Sequence, residues 1–264
     1  MDTRFWGPPA WKLLHSIAAT YEPAQQRKSV AEFLEILPYI LPCKYCRSSL
    51  TAHYKALPYD GELDTREHLE RWLYHLHGLV NNTLRKQGQT ISADPSFRDV
   101  QGRGTELAAG SFPAWDFLFS VAYIYPPQTR EVALPDAPKQ CPVGATDCER
   151  NGWNKLAPGR RMSYWMRFWK VLPGVLPATW ADSWVRAWKA AAPQFTSRRS
   201  VIAGLWRVRC AFEGNKTDPY AEVCHRLTYY SSGCGVANSE HSRTCRRLVE
   251  RRRQQTRKHS PQKA

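Results

Sequence analysis

Phe33-Leu34-Glu35-Ile36-Leu37-Pro38-Tyr39-Ile40-Leu41-Pro42-Cys43-Lys44-Tyr45-Cys46 is the stretch on which the fold turns. Val30, Phe33, Leu34, Leu37 and Leu41 recur at helical spacing, which predicts a helix over 29–40, bent or shortened by Pro38. Pro42 ends that run and places Cys43 at the start of a further helix reaching about Leu57. Unpaired backbone N–H groups at a helix N-terminus favour a thiolate, so the pKa of Cys43 is expected to be lowered. Lys44 and Arg47 push the same way. A dithiol of this spacing closes a small disulfide loop and exchanges two electrons as it does so. Taken alone, the CxxC leaves three readings open: half a zinc site, a pair of inert thiols, or a redox centre.

Outward from this stretch the first 90 residues read as helix throughout. Pro8 and Pro9 suit a first helical turn, followed by Trp11, Leu14, Ile17, Ala18 and Tyr21 on one face. A fourth helix is expected after Asp64, with Thr65 as its cap and Leu69, Trp72, Leu73, Leu76, Val80 and Leu84 apolar. Four helices with short connections make a bundle, and the fold class is all-α. Thioredoxin, which alternates strands and helices, is excluded. The 11 Trp, 12 Tyr and 9 Phe are too much aromatic surface to leave wet, which rules out disorder for most of the chain. No apolar run approaches the roughly 18 residues of a membrane span, and the first residues carry no secretory pattern.

Charge and cysteines are spread unevenly. Of the formal net +15, residues 1–90 hold 11 Lys+Arg against 9 Asp+Glu, so nearly all the excess lies beyond them. Residues 246–264 form an Arg-rich tail able to hold anionic polymers or steer acidic partners, nucleic acid included, or simply to stay solvated. Six cysteines follow the CxxC: Cys141, Cys148, Cys210, Cys224, Cys234 and Cys245. Their wide spacing suits staples better than zinc, because no second close pair completes four ligands; no metal is expected.

Residues 91–110, rich in Gly, Ser and Asp, read as a linker. After it, parts of the beginning recur. Trp11 to Pro23 lies over Trp115 to Pro127, with His15 meeting Phe119. Phe33 to Pro42 aligns without gaps on Phe168 to Pro177, and Cys43 and Cys46 then meet Ala178 and Ala181. Two matches in the same order suggest a duplicated helical unit whose second copy lost its thiols; chance similarity between amphipathic helices is the alternative. The expected layout is a bundle over 1–90, a linker over 91–110, a second mostly helical domain over 111–245 and the basic tail.

Other residues give the dithiol company. His15 lies one helical turn after Trp11, and Trp72, His75, His77, Asn81 and Lys86 share the fourth helix. Singly, each is explained as core or solvated surface. Together, aromatic and histidine side chains beside a redox dithiol suit a planar, phosphate-bearing cofactor. Gly7-x3-Trp11-x3-His15, Tyr21, Pro42-Cys43-Lys44-Tyr45-Cys46 and Trp72-x2-His75-x-His77-x2-Val80-Asn81-x4-Lys86 fall in order, with a fainter extension to Phe97-Arg98-Asp99. This arrangement closely resembles the FAD-dependent Erv/ALR sulfhydryl oxidases.

The resemblance implies a helical bundle that cradles FAD, with Cys46 beside the flavin and Cys43 as the exposed interchange thiol. Gly7, Trp11, His15, Tyr21, His77, Val80, Asn81 and Lys86 would line the cofactor. Electrons would leave dithiol protein substrates through Cys43–Cys46 and FAD for molecular oxygen, giving hydrogen peroxide. The second half would then be a degenerate Erv-like domain packed on the first as a pseudo-dimer. Two departures stand out: Gly78 replaces a usual asparagine, and the first 90 residues lack the family's second disulfide. The latter tilts the source towards a large DNA virus, hence a viral factory in the host cytoplasm or the virion, with the mitochondrial intermembrane space as the alternative. The rival functions are a basic nucleic-acid-binding or virion structural protein with a structural CxxC, and a flavin-free disulfide reductase.

Overall fold

The computed structural model describes residues 1–125, 158–214 and 217–231. Their regular structure is entirely helical: α1 (Thr3–Ala19), α2 (Pro23–Ile40), α3 (Lys44–Ala56), α4 (Arg66–Lys86), α5 (Phe97–Ala109), α6 (Trp115–Tyr123), α7 (Pro158–Val175), α8 (Ala178–Ala191), α9 (Arg198–Glu213) and α10 (Tyr220–Ser231). The tail 246–264 and Cys141, Cys148, Cys234 and Cys245 lie outside the described residues, and Cys210 and Cys224 carry free thiols.

Local chemistry sets the helix ends. Cys43 caps α3 and Leu57 closes it; Thr65 caps α4 by accepting from the His68 N–H at 3.1 Å. Two starts fall earlier than the apolar pattern suggests. Helix α1 begins at Thr3, where the Asp2 side chain accepts from the Arg4 N–H, so Pro8 and Pro9 sit inside it. Each proline there removes a backbone bond. Burial holds the first turns regardless: Phe5 stacks on Tyr230 at 4.5 Å and Trp6 meets Phe117 at 6.1 Å. Helix α2 begins at Pro23, whose missing N–H would have been unpaired in a first turn anyway, and it continues through Pro38 to Ile40.

The stretch 91–110 contains helix α5 and so differs from the expected linker. Ser96 caps it, and α5 packs along α1. Gly104 explains both its composition and its place. A Cβ there would stand 3.0 Å from the His15 carbonyl oxygen and 3.1 Å from Ala19 Cβ, so only a glycine lets the two helices approach this closely.

In the first half α1 packs on α4 and α5, and α3 bridges α2 and α4. In the second half α6 packs on α9, and α8 lies against α7 and α9. The halves meet through α2 on α7 and α1 on α6, and one continuous apolar core runs from Phe5 to Leu227. Helices α2 and α7 each span 18 residues, with Pro23 and Pro38 of one matching Pro158 and Pro173 of the other. In that alignment Phe33 corresponds to Phe168, and the two rings face each other at 5.9 Å. Tyr39 stacks on Tyr164 at 3.7 Å, while their counterparts, Gly174 and Ser29, meet at the opposite end, where a Gly174 Cβ would fall 2.9 Å from Ser29 Oγ. Reciprocal contacts of this kind are those of two helices related by a two-fold axis. Arg167, the counterpart of Glu32, bonds Glu32 at 3.0 Å and Glu35 at 3.3 Å, so a position that would bring two acids together in a symmetric pair is attractive here.

Candidate functional site

Helix α3 positions the dithiol. Pro42 ends the preceding segment and Cys43 adopts an extended backbone, so its sulfur accepts the Cys46 N–H at 3.4 Å at the mouth of the helix. That N–H and the helix dipole both favour a charged sulfur. The Arg47 guanidinium is anchored by donating to the Leu41 carbonyl at 2.6 Å. Burial lowers its pKa, and the Cys43 sulfur is the largest influence in the opposite direction. A desolvated cation therefore stands beside the pair.

A second cluster is built by α1 and α4. Trp11 and His15, one turn apart, face His77: the indole stacks on the His77 ring at 3.8 Å and 9°, and the His15 ring lies 5.4 Å from it. His15 Nε2 and His77 Nδ1 are 3.1 Å apart, so one imidazole donates and the other accepts. Burial drives both pKa values down to about 4, with the His77 charge adding to the effect on His15. At neutral pH the cluster is an uncharged aromatic wall with polar nitrogens at its edge. Beside it, Cβ atoms on Gly7 and Gly78 would meet nothing within 4 Å, which leaves room along both helices. Ring faces, neutral imidazoles and adjacent open space fit a planar heteroaromatic group such as a flavin or adenine.

The remaining expected residues divide. Tyr21 is fully buried, and its hydroxyl donates to the Leu63 carbonyl at 2.8 Å, so it braces the core. Val80 is half-buried on α4, and Lys86 is exposed at its last turn. Asn81 is engaged, its amide donating to Asp94 at 2.6 Å. Asp94 also pairs with Arg85 through bonds of 2.8 and 2.9 Å. The Arg85 bonds foremost, then the Asn81 amide, hold its carboxyl down to about 2. Asp94 and Arg85 escaped the reading of the sequence because Asp94 lies in the segment taken as a linker; Asp-Pro before a Ser cap was the available signal. Among the described residues no group of three or more His, Cys, Asp or Glu is placed to hold a metal ion, and no helix is long and apolar enough to cross a membrane.

Residues 8–100 match the Erv1/Alr family model. The chain is 35% identical over 88 residues to the mitochondrial FAD-linked sulfhydryl oxidase ERV1 of Saccharomyces cerevisiae, a match covering 32% of this chain and 46% of that one. It is 34% identical to the FAD-linked sulfhydryl oxidase ERV1 of Arabidopsis thaliana, over 30% of this chain and 42% of the plant protein. A protein of Acanthamoeba polyphaga mimivirus named as an FAD-linked sulfhydryl oxidase is 32% identical, over 31% and 59% respectively. The chain thus spans about half the length of the relatives it matches. No solved structure matches it significantly. The similarity to the Erv1/Alr family is confined to residues 8–100, which carry both the dithiol and the Trp–His–His wall.

Proposed function

We propose that the chain is an FAD-linked thiol oxidase that makes disulfides in dithiol proteins and delivers the electrons to oxygen. The observation that carries the reading is the Cys43 sulfur at the mouth of α3, beside the buried Arg47 cation and inside the stretch that matches the family. The first client thiolate attacks one sulfur of an oxidised Cys43–Cys46 pair and forms a mixed disulfide. The second client thiol displaces it, releasing the client disulfide and leaving the pair reduced. By the family's pattern Cys43 is the sulfur exchanged, and Cys46 faces the cofactor. Arg47 and the helix end stabilise the thiolate released at each exchange.

Trp11, His15 and His77 would hold FAD by their ring faces and edges, with Gly7, Tyr21, Val80, Asn81 and Lys86 around them. The chemistry FAD supplies is acceptance of an electron pair and its delivery to oxygen. In the net reaction two thiols lose two electrons and two protons, and one O2 becomes one H2O2. His15 and His77, neutral at pH 7, keep a positive charge off the wall and exclude water from it.

The second half is, in this reading, a degenerate copy of the first. The reciprocal contacts of α2 and α7 support it, as does the Ala178 and Ala181 pair where the first half has its cysteines. It covers the α2 face from within the chain, as a pseudo-dimer. A viral factory or virion is the proposed place of action, and the name of the yeast relative supports the mitochondrial intermembrane space as a second one.

Oxygen uptake with dithiothreitol tests the activity. The full chain should consume oxygen and release peroxide, while Cys43→Ser and Cys46→Ser should not. Uptake that persists in both variants, or none in the parent, rejects the reading.

A further inference from the structure

The second half reaches the dithiol. Tyr39, four residues before Cys43, stacks on Tyr164 of α7 at 3.7 Å and 6°, which pins the second turn of α7 against the end of α2 that leads into the CxxC. Arg160 and Arg161 lie four and three residues before Tyr164 and therefore share its side of the helix. Both are exposed. Their charges are felt on the first half: Arg161 acts on the guanidinium of Arg47, and Arg160 acts on the phenol of Tyr39. The nearby acids Glu32 and Glu35 are engaged by a third arginine of the same helix, Arg167. Arg160 and Arg161 of the second half thus lie on the side of α7 that faces the end of α2 leading to Arg47 and a half-buried Cys43.

We propose that Arg160 and Arg161 make the second half a specificity element of the active site, selecting dithiols that sit among acidic residues. The inference rests on the oxidase reading and adds the client's chemical class to it. A thiol flanked by Asp or Glu has a raised pKa and exchanges slowly; a cationic rim concentrates such a segment at Cys43 and offsets its reluctance to ionise. Charges at a rim act mainly on encounter, so the effect belongs in kcat/KM and fades with salt.

The test uses the full, flavin-loaded chain and two dithiol peptides that differ only in acidic or basic residues around the cysteines. At low ionic strength the parent should favour the acidic peptide by about tenfold in kcat/KM, a gap that closes as salt rises. Arg160→Glu with Arg161→Glu should reverse the preference, and Arg160→Lys with Arg161→Lys should keep it; bound flavin and circular dichroism report that each variant is folded. A parent that turns over both peptides equally, or a preference indifferent to the double glutamate change, overturns the proposal. So does inhibition by duplex DNA that the double change relieves while the peptide ratio stays at one, which would assign the rim to nucleic acid. Dithiothreitol oxidation by the parent separates the two levels: its absence sinks the oxidase itself, whereas its presence without discrimination sinks only the rim.

Discussion

Trp11 and His15 lie 6.1 Å apart at 32°, and their counterparts Trp115 and Phe119 lie 6.3 Å apart at 40°. The frame is nearly the same and the surroundings are opposite. In the first half the imidazole is half-buried, bonded to another imidazole, with open space beside Gly7 and Gly78. In the second half Phe119 is 1% exposed, and Trp115 is packed by Phe112 at 5.0 Å, Phe212 at 5.6 Å and Trp184 at 5.9 Å. Rings fill the room that a planar ligand would need. The helix ends differ likewise: a sulfur caps α3, whereas Pro177 precedes α8 with no side-chain cap. The first half keeps half-buried polar groups and open space at this place, and the second half has apolar packing there.

The contrast can be broken by exchanging its parts. The largest expected effect is on chemistry: Cys43→Ser should lower dithiol turnover by at least about a thousandfold, since Cys46 alone cannot form the disulfide that the client attacks. Next comes the shared core. Phe168→Ala, at the contact with Phe33, should cost about 3–5 kcal/mol in denaturant unfolding and loosen both halves together. Melting in two separate steps, with the first half intact, would argue that the halves are independent. Gly104→Ala should cost about 1–3 kcal/mol by pushing α5 off α1 near His15, and it should weaken flavin retention as well.

The smallest effect is a pH dependence. His15 and His77 titrate at about 4 in the folded chain and near 6.5 when unfolded. Between those values the unfolded chain binds more protons, so stability is complete above about pH 6.5 and falls as the pH drops towards 4. His15→Phe, which copies the second half, should flatten that fall in urea titrations of flavin-free protein. An unchanged slope would mean that the pair does not titrate as described.

How much of this was legible in the sequence depends on what each residue had to do. Pro42 and Thr65 announce α3 and α4 because a proline and a capping hydroxyl act locally. Helix α5 was hidden because Gly102, Gly104 and Gly110 look like linker residues, although Gly104 answers to a neighbour distant in sequence, the His15 carbonyl. The early start of α1 depends on Tyr230 and Phe117, also far along the chain. Trp11 and His15 were readable by spacing as one face of α1, whereas their meeting with His77 was expected only from the family resemblance, because it depends on how α1 packs on α4. Asp94 was not, because a loop residue's partners follow from the path of the loop. The bond from the Tyr21 hydroxyl to the Leu63 carbonyl was equally out of reach, because it joins the α1–α2 connection to a loop 42 residues away.

The most direct measurement is the amount of FAD released per chain on denaturing the purified protein, in the parent and in Cys46→Ser. The account predicts one FAD per chain in both, because the Trp11–His15–His77 wall would hold it and, among the described residues, Phe112, Phe212 and Trp184 pack the matching place around Trp115. Colourless protein would contradict the oxidase, and two FAD per chain would contradict the division of labour between the halves.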